Sequence, residues 1–129
     1  RDRPIARART RQLAEIVNSG IQPMQNLAVL EQVALIAPAA DKKAWCAHFV
    51  GRGLDALEAL AQESSGRYLV GNDVTLADVC LVPQLYGARR FGVALDRYPR
   101  LTEVEGRLAQ IEAFEQAHAD RQPDAVGHQ

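Results

Sequence analysis

The chain has 129 residues, of which 47% are hydrophobic, 24% charged and 5% aromatic, with a formal net charge of −1. That is the composition of one globular domain, long enough to bury about two thirds of the surface its unfolded form exposes. The charge balance excludes a nucleic-acid surface, which needs a clustered excess of Lys and Arg, and no run approaches the roughly 18 apolar residues of a membrane span.

The opening, Arg1-Asp2-Arg3-Pro4, has no initiator methionine, so a processed product or a piece of a longer protein is expected; no charged-then-apolar leader is read in it. Arg1, Arg3, Arg7, Arg9 and Arg11 are spread around a helix. From Pro4, apolar residues at Ile5, Ala8, Leu13, Ile16, Val17, Ile21, Met24, Leu27, Leu30 and Val33 follow a helical period. The pattern predicts a long helix to about Ile36, bent near Gly20 and Pro23, because a proline there removes a donor and meets the carbonyl four residues back. The amides Gln22, Gln25 and Asn26 flank that bend.

After the loop APAADKK, a second helix is predicted over Lys42 to Gln62, with Trp45, Phe49, Leu57 and Leu60 recurring at helical intervals. Gly51 and Gly53 weaken it and point to a close helix approach. The segment SSGRYLVGND reads as a loop with Tyr68, Leu69 and Val70 buried. In VTLADVCL, Thr75 and Asp78 have the spacing of a reciprocal capping box, and Val74 can staple onto Val79. The helix that follows, to about Phe91, is apolar on most faces, which marks it as central and buried. A last helix carries Leu101, Val104, Leu108, Ile111 and Phe114, and the tail DRQPDAVGHQ reads as irregular surface chain. The fold class is all-α, a bundle of four or five helices around the capped one, spanning residues 1–129 as one domain.

Few residues announce chemistry by spacing. Cys46 and Cys80 form no disulfide framework and no metal spacing, which predicts a reducing, cytoplasmic setting with both thiols as small core residues. His48, His118 and His128 have neither triad nor metal spacing, so no metal is expected and their roles are packing or surface. Arg89 and Arg90 end the capped helix. Two readings stay open for them: complement to the helix dipole, or an anion clamp.

The strings RQLAEIVNSGIQPMQNLAVL, GNDVTLADVCLVPQLYGARRF, YPRL and AFEQAHADRQPD together resemble the C-terminal helical domain of zeta-class glutathione transferases, the maleylacetoacetate isomerases. The resemblance runs from about Arg7 to Asp124. VTLAD is common to the superfamily, whereas GIQPMQN and CLVPQLYGARRF are specific to the class.

This resemblance implies a two-domain enzyme whose thioredoxin-like N-terminal domain, with a Ser-Ser-Cys-type motif, binds glutathione and activates its thiol. No such motif occurs here, so the segment alone is expected to be inactive, with no catalytic residue of its own. It implies that Gln22, Asn26, Leu27 and Ala28 line the glutathione site, Ala28 standing where the family often has Ser. It also implies that Arg90, helped by Arg89, binds the carboxylate of a small dicarboxylate substrate. The implied reaction is glutathione-dependent cis–trans isomerisation of maleylacetoacetate by a homodimer, with no nucleic-acid or membrane partner. Maleylpyruvate isomerase is the nearest alternative; its members replace the Gln22-type residue with His and place Arg near Leu27 or Ala28. A non-catalytic interaction domain is the other, though it would have no reason to keep both specific segments. Standing alone, the segment is expected to expose an apolar patch and self-associate.

Overall fold

The structure, a computed structural model, describes residues 3–125, so Arg1 and His128 fall outside it. Among the described residues the only β pairing is an isolated bridge between Ser65 and Gly71. The α-helices are α1 (Arg3–Glu15), α2 (Leu27–Ile36), α3 (Lys42–Ser64), α4 (Leu76–Arg90), α5 (Pro99–Leu108) and α6 (Glu112–Gln116). The fold is the expected all-α bundle, with α4 packed against α1, α3 and α5.

The segment around Pro23 does more than bend. α1 ends at Glu15, Ile16–Ile21 widen into a π-helical turn, Gln22–Gln25 tighten into a 3-10 turn, and α2 starts afresh. The change of geometry sets Pro23 in the first turn of a new element, where its missing N–H is no loss. Asn26 then takes extended backbone (φ −65°, ψ 138°), and its side-chain oxygen accepts the Ala28 N–H at 3.0 Å as the N-cap of α2. Gly20 plays no part in this by conformation: its φ is not positive, and a Cβ there would meet nothing within 4 Å. The bend belongs to the proline.

α3 opens on Asp41, whose carboxylate accepts the Lys43 and Ala44 N–H groups at 2.8 and 3.2 Å. The close approach foreseen at its glycines occurs at Gly53, where the fully buried Ile21 side chain from the π turn occupies the place of a Cβ. The irregular segment beyond α3 buries Tyr68 and Leu69, while Val70 is half-buried.

Both halves of the capping box at Thr75 and Asp78 form. Asp78 is 0% exposed. Its Oδ2 accepts the Thr75 N–H at 2.8 Å and the Thr75 hydroxyl at 2.9 Å, and its Oδ1 accepts the Leu69 N–H at 2.9 Å. One carboxylate thus caps α4 and pins the preceding loop. The inward face of α4 (Ala77, Leu81, Leu85, Ala88) is buried, but the helix is not enclosed: Leu76 and Val79 are 55% and 52% exposed. Val74 is likewise 41% exposed, so the staple onto Val79 buries little.

A second buried carboxylate acts across elements. Glu58 of α3 accepts the Arg100 and Leu101 N–H groups at 3.0 and 3.1 Å, satisfying the first turn of α5 from a neighbouring helix. The expected single helix through Leu101–Phe114 is divided at Ile111 (φ −93°, ψ 121°), yet Ile111 and Phe114 still pack on the core. Two helices in phase produce the same apolar spacing as one.

Asp78→Ala should lower stability by about 3 kcal/mol, because it leaves buried donors unpaired, whereas Thr75→Ala should cost about 1 kcal/mol. Urea unfolding of both variants checks the order. The bare Leu27, Leu35, Ile36, Leu76 and Val79 side chains should make the isolated segment self-associate, which light scattering over a concentration series will register.

Candidate functional site

Gln84 lies on the inward face of α4 between Leu81, Leu85 and Ala88, and it is 0% exposed. An unpaired buried amide costs about 1 to 3 kcal/mol, so its partners matter. Its Oε1 accepts the Gln22 Nε2–H at 2.9 Å and, at the limit of a hydrogen bond, the Gln25 Nε2–H at 3.5 Å. Gln84 Nε2 and Gln25 Oε1 are buried without a hydrogen-bond partner among the described residues. The bent segment is held from its other side by Trp45 of α3, whose indole N–H donates to the Met24 carbonyl at 2.9 Å.

Of the residues singled out in the sequence, Gln22 is exposed at the kink and joined to α4. Asn26, Leu27 and Ala28 are exposed at the start of α2. Asn26 spends its oxygen on the helix cap, so of its side-chain groups the NH2 remains as donor. The Leu27 and Val29 N–H groups of the first turn have no intrahelical acceptor. The kink therefore presents side-chain amides beside a helix N-terminus.

The two arginines have different fates. Arg89 forks onto Glu105 of α5 with both contacts at 2.6 Å, and this bond raises the guanidinium pKa above its ordinary value. Arg90 is exposed and forms no salt bridge among the described residues. It stands six residues beyond Gln84, so roughly 9 Å further along α4 and turned onto the outer face that carries Val79, Pro83 and Tyr86. Gln22 reaches α4 at Gln84 on its inward face, so the amide and the Arg90 guanidinium meet this helix about 120° apart around its axis and are not joined.

Beside this face runs a groove of about 940 Å³ between α4, α5 and the segment after Ala109, lined by residues including Val79, Pro83, Tyr86, Thr102 and Phe114. Arg89 is in its lining; Gln22 and Arg90 are not. The Tyr86 hydroxyl donates to Asp120 Oδ1 at 2.7 Å, which ties the tail back to α4 and raises the phenol pKa.

Among the described residues, the remaining polar side chains carry no assembled chemistry. Cys46 is buried, and burial pushes its thiol pKa up. Cys80 is partly exposed with its sulfur 3.8 Å from Asn18 Oδ1. His48 lies edge-on to Phe49 and His118 edge-on to Tyr86. Among the described residues no three His, Cys, Asp or Glu side chains gather as a metal site would require. Gln84, the indole N–H of Trp45, Glu58 and Glu105 escaped the sequence reading. Only Gln84 left a trace, as a polar residue inside an apolar helical face.

Residues 43–107, from the start of α3 to the end of α5, match the glutathione S-transferase C-terminal domain. The chain belongs to that family. Within it, the glutathione S-transferase domain is 44% identical over 118 residues to a probable maleylacetoacetate isomerase 2 of Drosophila melanogaster, covering 92% of this chain and 50% of the relative. It is 50% identical to a crystal structure of maleylacetoacetate isomerase from Anaeromyxobacter dehalogenans with dicarboxyethyl glutathione and citrate in the active site, with a TM-score of 0.88 over 94% of this chain and 56% of that one. A bacterial zeta-class maleyl pyruvate isomerase in its holo form is 40% identical, with a TM-score of 0.87 over 93% of this chain and 58% of that one. The domain spans about half the length of the curated relatives it matches.

In the folded protein, iodoacetamide followed by peptide mapping should modify Cys80 readily and leave Cys46 unmodified until urea is added, since Cys46 is both covered and poor in thiolate.

Proposed function

We propose that this domain is the helical half of a glutathione-dependent maleylacetoacetate cis–trans isomerase of the zeta class, completed by a thioredoxin-like N-terminal domain and working as a homodimer. The observation that carries the proposal is the amide-lined kink, held on α4 by Gln84, in a chain 50% identical to an isomerase holding a glutathione derivative; Arg90 is exposed at the end of the same helix. The bare apolar side chains of α2 and α4 offer surface for the companion domain and for a second copy.

The donor set suits a tripeptide. The amides of Gln22 and Asn26 and the free N–H groups at the start of α2 match peptide links and a carboxylate. When bound, glutathione supplies a thiol nucleophile for reversible addition to a polarised carbon–carbon double bond. The groups that lower the thiol's pKa belong to the companion domain, so the isolated segment should be inactive.

The residues of this chain bind and orient. Gln22, Asn26, Leu27 and Ala28 line the peptide along the kink; Ala28 has no hydroxyl and its N–H is taken by Asn26, so it contributes surface rather than a hydrogen bond. Arg90 takes a substrate carboxylate with its guanidinium fork, and the apolar side chains of Val79 and Pro83 keep water from the reacting end of that face. Arg89 is already committed to Glu105, so it supports Arg90 by fixing the end of α4 against α5 rather than by touching substrate.

In the full-length protein, Arg90→Ala should lower kcat/KM for maleylacetoacetate by about a hundredfold, the loss of one charge-assisted carboxylate contact. Arg89→Ala should change it by less than about threefold, because the half-exposed Arg89 side chain is paired with Glu105 and not with substrate. Gln22→Ala should raise the KM for glutathione. An Arg90→Ala enzyme within threefold of wild type would sink the proposal. The maleyl pyruvate isomerase relative makes maleylpyruvate the rival substrate, and comparing kcat/KM for the two substrates decides between them.

A further inference from the structure

We infer that Gln84, a residue that touches no ligand, is the positioning residue of the kink: its buried amide holds the Gln22 side chain in the orientation that meets glutathione. The inference rests on the proposed glutathione site at Gln22.

Gln84 is a poor choice for packing. Its neighbours on the inward face, Leu81, Leu85 and Ala88, are apolar and fully buried. An apolar side chain of equal length would complete that face, whereas the amide leaves its Nε2 buried without an acceptor. What the amide does instead is reach the kink, where its single carbonyl oxygen faces two side chains 62 and 59 residues away in sequence, Gln22 and Gln25. A polar residue kept at the expense of core packing is the pattern of a functional constraint.

Gln22 has need of such a hold. It is exposed on a bent segment, and a free glutamine side chain samples many rotamers. Bonding its Nε2–H to Gln84 Oε1 removes that freedom before a ligand arrives and leaves the Gln22 carbonyl oxygen as the acceptor for an N–H of the ligand. The main chain of the same segment is fixed separately, by the Trp45 N–H on the Met24 carbonyl. Backbone and side chain are thus located by two different helices, α3 and α4.

The test is a double-mutant cycle in the full-length protein, with Gln84→Met, Gln22→Ala and both together, titrated with reduced glutathione by calorimetry alongside urea unfolding. Gln84→Met should weaken glutathione binding about three- to tenfold, the worth of one orienting hydrogen bond, while stability stays the same or rises. In the Gln22→Ala background it should have no further effect. Additive losses, or a Gln84→Met protein that binds as wild type while Gln22→Ala binds weakly, overturn the inference and leave the glutathione site standing. Unchanged binding in Gln22→Ala overturns both. Should Gln84→Met not fold cooperatively, 15N relaxation of the Gln22 side-chain amide in the wild-type protein decides. An order parameter near that of rigid backbone, about 0.85, supports the inference, and one below about 0.6 overturns it.

Discussion

Pro23 has no N–H to donate and no room for the carbonyl behind it, and the particular character of this chain's first forty residues follows from that constraint. The helix cannot pass through it unchanged, so it widens, tightens and begins again at Asn26. Each transition is anchored from outside: Ile21 fills the space left by Gly53, the Met24 carbonyl takes the Trp45 N–H, Gln22 reaches Gln84, and Asn26 caps α2. A distortion costing a few kcal/mol in an isolated helix is over-determined here by α3 and α4. Strained or irregular turns persist under those conditions, and they collect where a ligand is met.

The two helices that hold the kink are themselves tied by buried carboxylates. Asp78 joins α4 to the loop before it, and Glu58 of α3 closes the first turn of α5. The Arg89–Glu105 fork locks the far end of α4 to α5. α4 is therefore fixed at its start, along its inward face and at its end, while Leu76, Val79 and Arg90 on its other side stay exposed. An exposed arginine next to a fully committed one makes sense in that setting, since the committed one determines where the other stands.

Much of this was readable in advance, for reasons that can be stated residue by residue. Apolar side chains at helical spacing located every major helix, because burial of one face is a local pattern. The capping box at Thr75 and Asp78 was visible for the same reason: its partners are three residues apart. Asn26 was visible as an amide but not as a cap, although an Asn directly before an apolar helical run carries that signal. Glu58 and Glu105 were not readable and Gln84 showed only as a polar residue on an apolar face, because their partners lie 16 to 62 residues away and no spacing rule links them. The division of the last helix at Ile111 left no mark in the apolar periodicity, and α4 looked enclosed because an apolar face awaiting a partner has the same composition as one already buried.

The indole of Trp45, the one tryptophan of this chain, is bonded to the carbonyl of the bent segment and stacked at a tilt on Phe49, 4.8 Å away. Its emission maximum and lifetime are thereby coupled to the geometry of the Met24 peptide group. The domain carries an intrinsic optical probe of its own kink, readable without a label.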